Sequence, residues 1–134
     1  MKKNTRYMVV DDDTTNNMIC EFVIKRVDKE ADIKIFATPE DALALIKEQY
    51  SSTNEAPPTV LFLDVNMTSM TGWEFLDIFV QFEEKVKEQF TIYILSSSIE
   101  DFTNELKIYS FIKGILSKPL KMNQLEGVGK ELQE

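Results

Sequence analysis

The chain has 134 residues, 43% of them hydrophobic and 28% charged, with a formal net charge of -8 at pH 7. One folding unit of ordinary globular composition fits that length, and the acidic balance argues against nucleic acid and against an anionic membrane surface, which both demand basic footprints. There is no histidine and only one cysteine, Cys20, which removes His-based nucleophilic schemes, most zinc sites and any intrachain disulfide.

The first apolar run, Tyr7-Met8-Val9-Val10, ends in Asp11-Asp12-Asp13. It is too short for a signal-peptide core, and no later run approaches bilayer length, so a cytoplasmic protein is expected. Ile19, Phe22, Val23 and Val27 then space as one face of a helix, with Thr14 to Asn17 offering capping oxygens ahead of them. Cys20 falls inside that apolar pattern and reads as a buried structural thiol. Asp32 to Phe36 is a brief second strand. Thr38-Pro39-Glu40-Asp41 starts a second helix, with Thr as N-cap, Pro at the first helical position and acids in the first turn. Ala42, Leu43 and Ile46 continue its buried face. Ser51 to Pro58 is polar and ends in Pro57-Pro58, so it reads as a loop.

The next run, Val60-Leu61-Phe62-Leu63, ends in Asp64. A helix follows Gly72, with Trp73, Leu76, Phe79 and Val80 on one side, and the charged segment Glu83 to Gln89 reads as its extension into solvent. Thr91-Ile92-Tyr93-Ile94-Leu95 opens onto Ser96-Ser97-Ser98. Phe102, Leu106 and Tyr109 mark another helix, and Ile115-Leu116-Ser117 delivers Lys118-Pro119. Met122, Leu125, Val128 and Leu132 mark the last helix, which Gly127 and Gly129 weaken by about 1 kcal/mol each relative to Ala.

Short apolar runs bounded by polar residues are strands buried on both faces. Strand and helix alternate five times, which gives an α/β, doubly wound (βα)5 fold around a five-stranded parallel sheet. All strands of such a sheet end on one edge, where open α/β folds place their sites. Carboxylates, a hydroxyl and an ammonium should therefore meet there. A single domain over residues 1-134, with no output module of its own, is the expected organisation.

Asp12 and Asp64, with a carbonyl two residues beyond a strand end, suit magnesium, which prefers oxygen ligands. Crowding Asp11, Asp12, Asp13 and Asp64 without a cation is electrostatically unfavourable, although Asp11-Asp12-Asp13 by itself also reads as a solvated acidic loop. Lys118 precedes a proline and is held extended along the sheet edge, able to pair with Asp64 or with a phosphoryl oxygen. Ser96 either bonds backbone at a helix start or donates to the same phosphoryl group.

Taken together, Val9-Val10-Asp11-Asp12-Asp13, Leu63-Asp64-Val65-Asn66-Met67 with Met70 and Gly72 downstream, Leu95-Ser96-Ser97 and Lys118-Pro119 resemble the receiver domain of two-component response regulators, the CheY-like family, from Tyr7 through Leu132. The resemblance implies a flavodoxin-like sandwich with strand order 2-1-3-4-5. It implies that Asp64 accepts a phosphoryl group, that Asp11 and Asp12 hold magnesium with Asp64, and that Asn66 supplies a backbone carbonyl to the metal. It also implies that Ser96 and Lys118 bind the acyl phosphate. On this reading the protein is a phosphorelay signalling domain, not an enzyme beyond its own phosphorylation and dephosphorylation. Its donor lies elsewhere, because this chain has no histidine: a histidine kinase, a histidine phosphotransfer protein or a small acyl phosphate, and its output is contact with a downstream target protein. The expected contact face combines the helix around Phe102 to Tyr109, the strand before Lys118 and the last helix, with Phe102, Lys107, Tyr109 and Lys121 as exposed candidates.

Three positions depart from the family pattern. Thr68 stands where proline is usual and Thr71 where aspartate is frequent, and both bear on the rigidity of the loop after Asp64 rather than on the site. Ile115 occupies the strand position where an aromatic switch residue is common, leaving Phe111 or Tyr109 as substitutes. A phosphatase of the haloacid-dehalogenase type also uses a strand-end aspartate with magnesium, but it needs a second aspartate where this chain has Asn66. A receiver fold retired to protein interaction has no physical need to keep Asp12, Asp64, Ser96 and Lys118 together.

Overall fold

The computed structural model describes residues 5–51, 56–97 and 101–133, with side chains described through residue 129. Ser98, the loop residues 52–55 and the Leu132 side chain lie outside the described part. In chain order the elements are β1 (Arg6–Val10), α1 (Thr14–Val27), β2 (Asp32–Phe36), α2 (Pro39–Ser51), β3 (Thr59–Asp64), α3 (Gly72–Phe79), α4 (Glu84–Lys87), β4 (Phe90–Ser96), α5 (Thr103–Ile108), β5 (Ile112–Ser117) and α6 (Met122–Gln133). The five strands form one parallel sheet in the order β2-β1-β3-β4-β5. This is the doubly wound arrangement that the alternation of apolar runs and helical periods implies, in the flavodoxin-like strand order that the resemblance implies.

Strand alternation splits the core into two layers. Met8, Val10, Leu61, Leu63, Ile92 and Ile94 face one side, where α2 adds Ala42, Leu43 and Ile46 and α3 adds Phe75, Leu76 and Phe79. Val9, Phe62, Tyr93 and Leu95 face the other, where α1 adds Cys20, Val23 and Ile24 and α6 adds Leu125 and Val128. Every residue of β3 is buried, which is why its sequence is continuously apolar instead of alternating.

Several local expectations change. The buried stripe of α1 is Cys20, Val23 and Ile24, whereas Ile19, Phe22 and Val27 are exposed, Phe22 by 61%. The helix is rotated so that Asn16 and Asn17 go inward, a choice the apolar spacing did not reveal. Its N-cap is Asp13, whose Oδ1 accepts from the amides of Thr15 and Asn16, not one of Thr14 to Asn17. Val80 caps the end of α3 and is exposed, and Phe75 joins Leu76 and Phe79 in the core. Glu83 to Gln89 does not extend α3. Helix α3 ends at Phe79, and after a turn over Val80 to Glu83 the chain forms the short α4, which buries Val86. That turn flanks a cavity of about 220 Å³, lined by Phe79, Val80, Phe90, Ile92 and Phe111, at the sheet edge where β4 begins. It lies at the opposite end of the strands from Asp64, since Phe90 pairs with the first residue of β3 and Leu95 with the last.

No helix among the described residues is long and apolar enough to cross a membrane.

Candidate functional site

Parallel register sets the level at which each polar residue leaves the sheet. Val10 pairs with Leu63, so Asp11 and Asp64 follow at the same height on neighbouring strands. Asp64 pairs with Leu95, Ser96 pairs with Ser117, and Lys118 follows directly. Three carboxylates, Ser96 and the Lys118 ammonium are thereby gathered at the carboxyl edge, as the sequence pattern implied.

Asp11 is fully buried, which a carboxylate tolerates only with charge and hydrogen-bond partners. Its Oδ2 accepts from Lys118 Nζ at 2.9 Å and from Asn16 Nδ2 at 2.7 Å, and its Oδ1 accepts from the Asp13 amide at 2.9 Å. Asn17 Nδ2 donates to the Asp11 carbonyl at 2.8 Å. Asn16 and Asn17 thus orient the acidic turn, a role their reading as capping oxygens missed. The available signal was two asparagines inside a helix, where that residue type is a poor former.

Lys118 Nζ also reaches Asp64 Oδ1 at 3.3 Å, so one ammonium bridges two carboxylates. The Lys118 amide donates to the Ser96 carbonyl at 2.9 Å, and the Lys118-Pro119 peptide bond is cis. Burial acts to lower the affinity of Lys118 for its proton. The bond to Asp11 and the charges of Asp11 and Asp64 outweigh it, holding the ammonium above the ordinary lysine value. Asp64 is shifted the other way from a usual carboxylate. Burial and then the Asp11 charge push it up to about 6, with Lys118 offsetting only part of that.

Asp12 lies nearer solvent and is held from the opposite side. The Thr68 amide and hydroxyl both donate to its Oδ2, each at 2.7 Å. The hydroxyl bond is the main reason its carboxyl sits below the usual range. Thr68 therefore bears on the site itself and not just on loop rigidity. The loop is also well anchored despite both threonines. Ser69 Oγ donates to Glu40 Oε1 at 3.0 Å, Asn66 and Thr71 form an isolated bridge, and Thr71 caps α3 in a reciprocal box with Glu74. Gly72 closes the loop by donating its amide to Val65 O at 2.7 Å. A Cβ there would stand 2.5 Å from the Asp64 carbonyl oxygen, so only glycine permits this approach.

One carboxylate oxygen from each of Asp11, Asp12 and Asp64 lies within 4.8 Å of the others. Such an all-oxygen set open to solvent on the Asp12 side fits a small hard cation that retains waters. Asn66 follows two residues beyond the end of β3 and is exposed.

At the usual switch position Ile115 is partly buried and packs on the α2/α3 layer. In the same apolar layer Trp73 stacks on Tyr109 with centroids 5.3 Å apart and meets Phe102 at 5.6 Å. The Tyr109 hydroxyl donates to Asp77 Oδ1 at 2.8 Å, tying the end of α5 to α3. Phe102 is buried, so it is not one of the exposed candidates, while Lys107 and Lys121 are exposed.

The family model described as the response regulator receiver domain matches residues 7–128. No curated protein matches the chain. Among solved structures, a two-component response regulator from Cytophaga hutchinsonii is similar at 26% identity, covering 99% of this chain and 100% of that one with a TM-score of 0.82. A response regulator receiver protein from Dyadobacter fermentans DSM 18053 shares the fold at 22% identity, 95% and 96% coverage and a TM-score of 0.79. A CheY-like receiver domain protein from Methanospirillum hungatei JF-1 does so at 20% identity, 98% and 95% coverage and a TM-score of 0.68.

Proposed function

The chain belongs to the response regulator receiver family, and from that premise we propose that Asp64 is its phosphoacceptor, taking a phosphoryl group from a phosphohistidine on a partner protein. The observation that carries this reading is the placement of a buried strand-end carboxylate beside one ammonium and two further carboxylates. Asp64 has Lys118 Nζ at 3.3 Å and an oxygen of each of Asp11 and Asp12 within 4.8 Å.

In the proposed reaction an Asp64 carboxylate oxygen attacks phosphorus in line. An O–P bond forms, the P–N bond to the donor imidazole breaks, and the imidazole leaves with the bonding electron pair. With Asp64 pushed up to about 6, the carboxylate is mostly ionised and nucleophilic at neutral pH. Lys118 turns from the Asp64 carboxylate to a phosphoryl oxygen, and the Ser96 hydroxyl donates to another. Asp11, Asp12, Asp64 and the Asn66 backbone carbonyl would hold magnesium, which when bound neutralises charge spreading over the phosphoryl oxygens.

The output of the proposed signal is a protein contact. Phosphorylation adds charge and acceptor oxygens at the edge where Ser96 and Lys118 sit, and those two residues lead into α5 and α6. On the proposed face of α5, β5 and α6, Lys107 and Ile108, the latter 72% exposed, lie on α5, and Lys121 is exposed just before α6. Charge reversal at Lys107 and Lys121 should weaken target binding without altering Asp64 phosphorylation.

The test is incubation with a small acyl phosphate and magnesium, read by intact mass. Wild type should gain one phosphoryl group and Asp64→Asn none. A stable phosphoryl group on Asp64→Asn refutes the assignment.

A further inference from the structure

We propose that Thr68 is the positioning residue that sets cation affinity at this site, by fixing the orientation of Asp12. The inference rests on reading the acidic cluster as a magnesium site.

The three carboxylates are not held alike. Asp11 and Asp64 share the Lys118 ammonium, whereas among the described residues Asp12 forms no ion pair. Its charge is met chiefly by two donors from one residue, the Thr68 amide and the Thr68 hydroxyl, both 2.7 Å from Oδ2, with its own amide and the more distant Lys118 charge adding to them. Bonds of that length to an ionised carboxylate are short and charge-assisted.

Geometry gives this pairing its consequence. A single hydrogen bond leaves a carboxylate free to turn about its Cβ–Cγ bond. Two donors converging on one oxygen from a fixed backbone position remove that freedom. Both Thr68 bonds go to Oδ2, and in the proposed site the other oxygen, Oδ1, takes the cation. The backbone position is itself fixed, because the loop is pinned on both sides of Thr68 by the Asn66–Thr71 bridge, the Ser69–Glu40 bond and the Gly72 amide on Val65. Asp12 and Thr68 are 56 residues apart in sequence, so the clamp spans the loops after β1 and β3 and joins the two halves of the acidic cluster. Residues that orient a metal ligand through hydrogen bonds typically govern affinity by 10–100-fold when removed, on the order of what a preset carboxylate requires.

The variants that separate the two donors are Thr68→Ser, which retains both, and Thr68→Val, which keeps the shape and the amide but removes the hydroxyl. Magnesium is titrated into the metal-free full chain by calorimetry or amide chemical shifts, alongside the magnesium dependence of phosphorylation by a small acyl phosphate. Thr68→Val is expected to bind magnesium about tenfold more weakly, with its half-saturating magnesium in phosphorylation rising in step. Thr68→Ser is expected to stay within about twofold of wild type, which a merely steric role for the threonine methyl would not produce. Wild-type or tighter magnesium affinity in Thr68→Val overturns the proposal, as does a Thr68→Ser variant as weak as Thr68→Val. Failure of the wild-type chain to bind magnesium at all overturns the underlying reading of the site as well.

Discussion

Replacing Asp64 by asparagine should stabilise the metal-free protein at neutral pH while removing its phosphoacceptor. Burial and the adjacent Asp11 raise Asp64 from 3.8 to about 6, and Lys118 only partly compensates. The folded chain therefore binds this proton more tightly than the unfolded chain does. Below the unfolded value both states are protonated and Asp64 adds no penalty. As pH rises from about 4 to about 6 the unfolded carboxyl ionises first and stability falls, reaching its full loss above the folded value. A gap of that size is on the order of 3 kcal/mol. Asparagine keeps the shape and is neutral throughout, so the variant should lack this slope. Urea unfolding in chelator between pH 4 and pH 8 measures it. Wild type and Asp64→Asn should be close near pH 4 and diverge above pH 6, with the variant more stable by up to roughly 3 kcal/mol. Parallel pH profiles, or a variant less stable than wild type at pH 7, would refute the electrostatic account.

Lys118→Ala removes the ammonium from fully buried Asp11 and should destabilise the metal-free fold by about 3 kcal/mol, the usual loss when one member of a buried pair is deleted; unchanged urea midpoints would show the pair to be structurally idle. Gly72→Ala drives a Cβ to 2.5 Å from the Asp64 carbonyl oxygen. It should lower stability by about 1–3 kcal/mol and slow phosphorylation, read by thermal melting and intact mass. Burial pushes the Cys20 thiol up to about 12, so a thiol alkylating reagent at pH 8 should label it only at the rate of unfolding; rapid native labelling would contradict its place in the core.

The sheet and the four polar stations were legible because buried parallel strands leave short apolar runs: Asp11, Asp64 and Ser96 are each the first polar residue after one of them, and Lys118 follows one residue later, after Ser117. Val60 to Leu63 ending in Asp64 and Ile115 to Ser117 ending in Lys118 carry that signal by themselves. Helix rotation was harder to read. On α1 the apolar spacing of Ile19, Phe22, Val23 and Val27 competes with that of Cys20, Val23 and Ile24, and the rotation that buries the latter also turns Asn16 onto Asp11, a polar contact that apolar periodicity does not report. The break before α4 was likewise hidden, since Glu83 to Gln89 has helix-forming composition whether or not it continues α3. Thr68 was visible as a departure from the family pattern. Its effect depends on Asp12, 56 residues earlier, which only the folded chain brings within reach.

The most direct test of the central claim is to trap the acyl phosphate chemically. The protein is incubated with a small acyl phosphate and magnesium, reduced with borohydride, and mapped by peptide mass. An aspartyl phosphate at this site reduces to homoserine. The account predicts that conversion at Asp64 alone among the 23 acidic residues, and its loss in excess chelator. Conversion at Asp11, Asp12 or Asp13 instead, or undiminished conversion at Asp64 without magnesium, would contradict it.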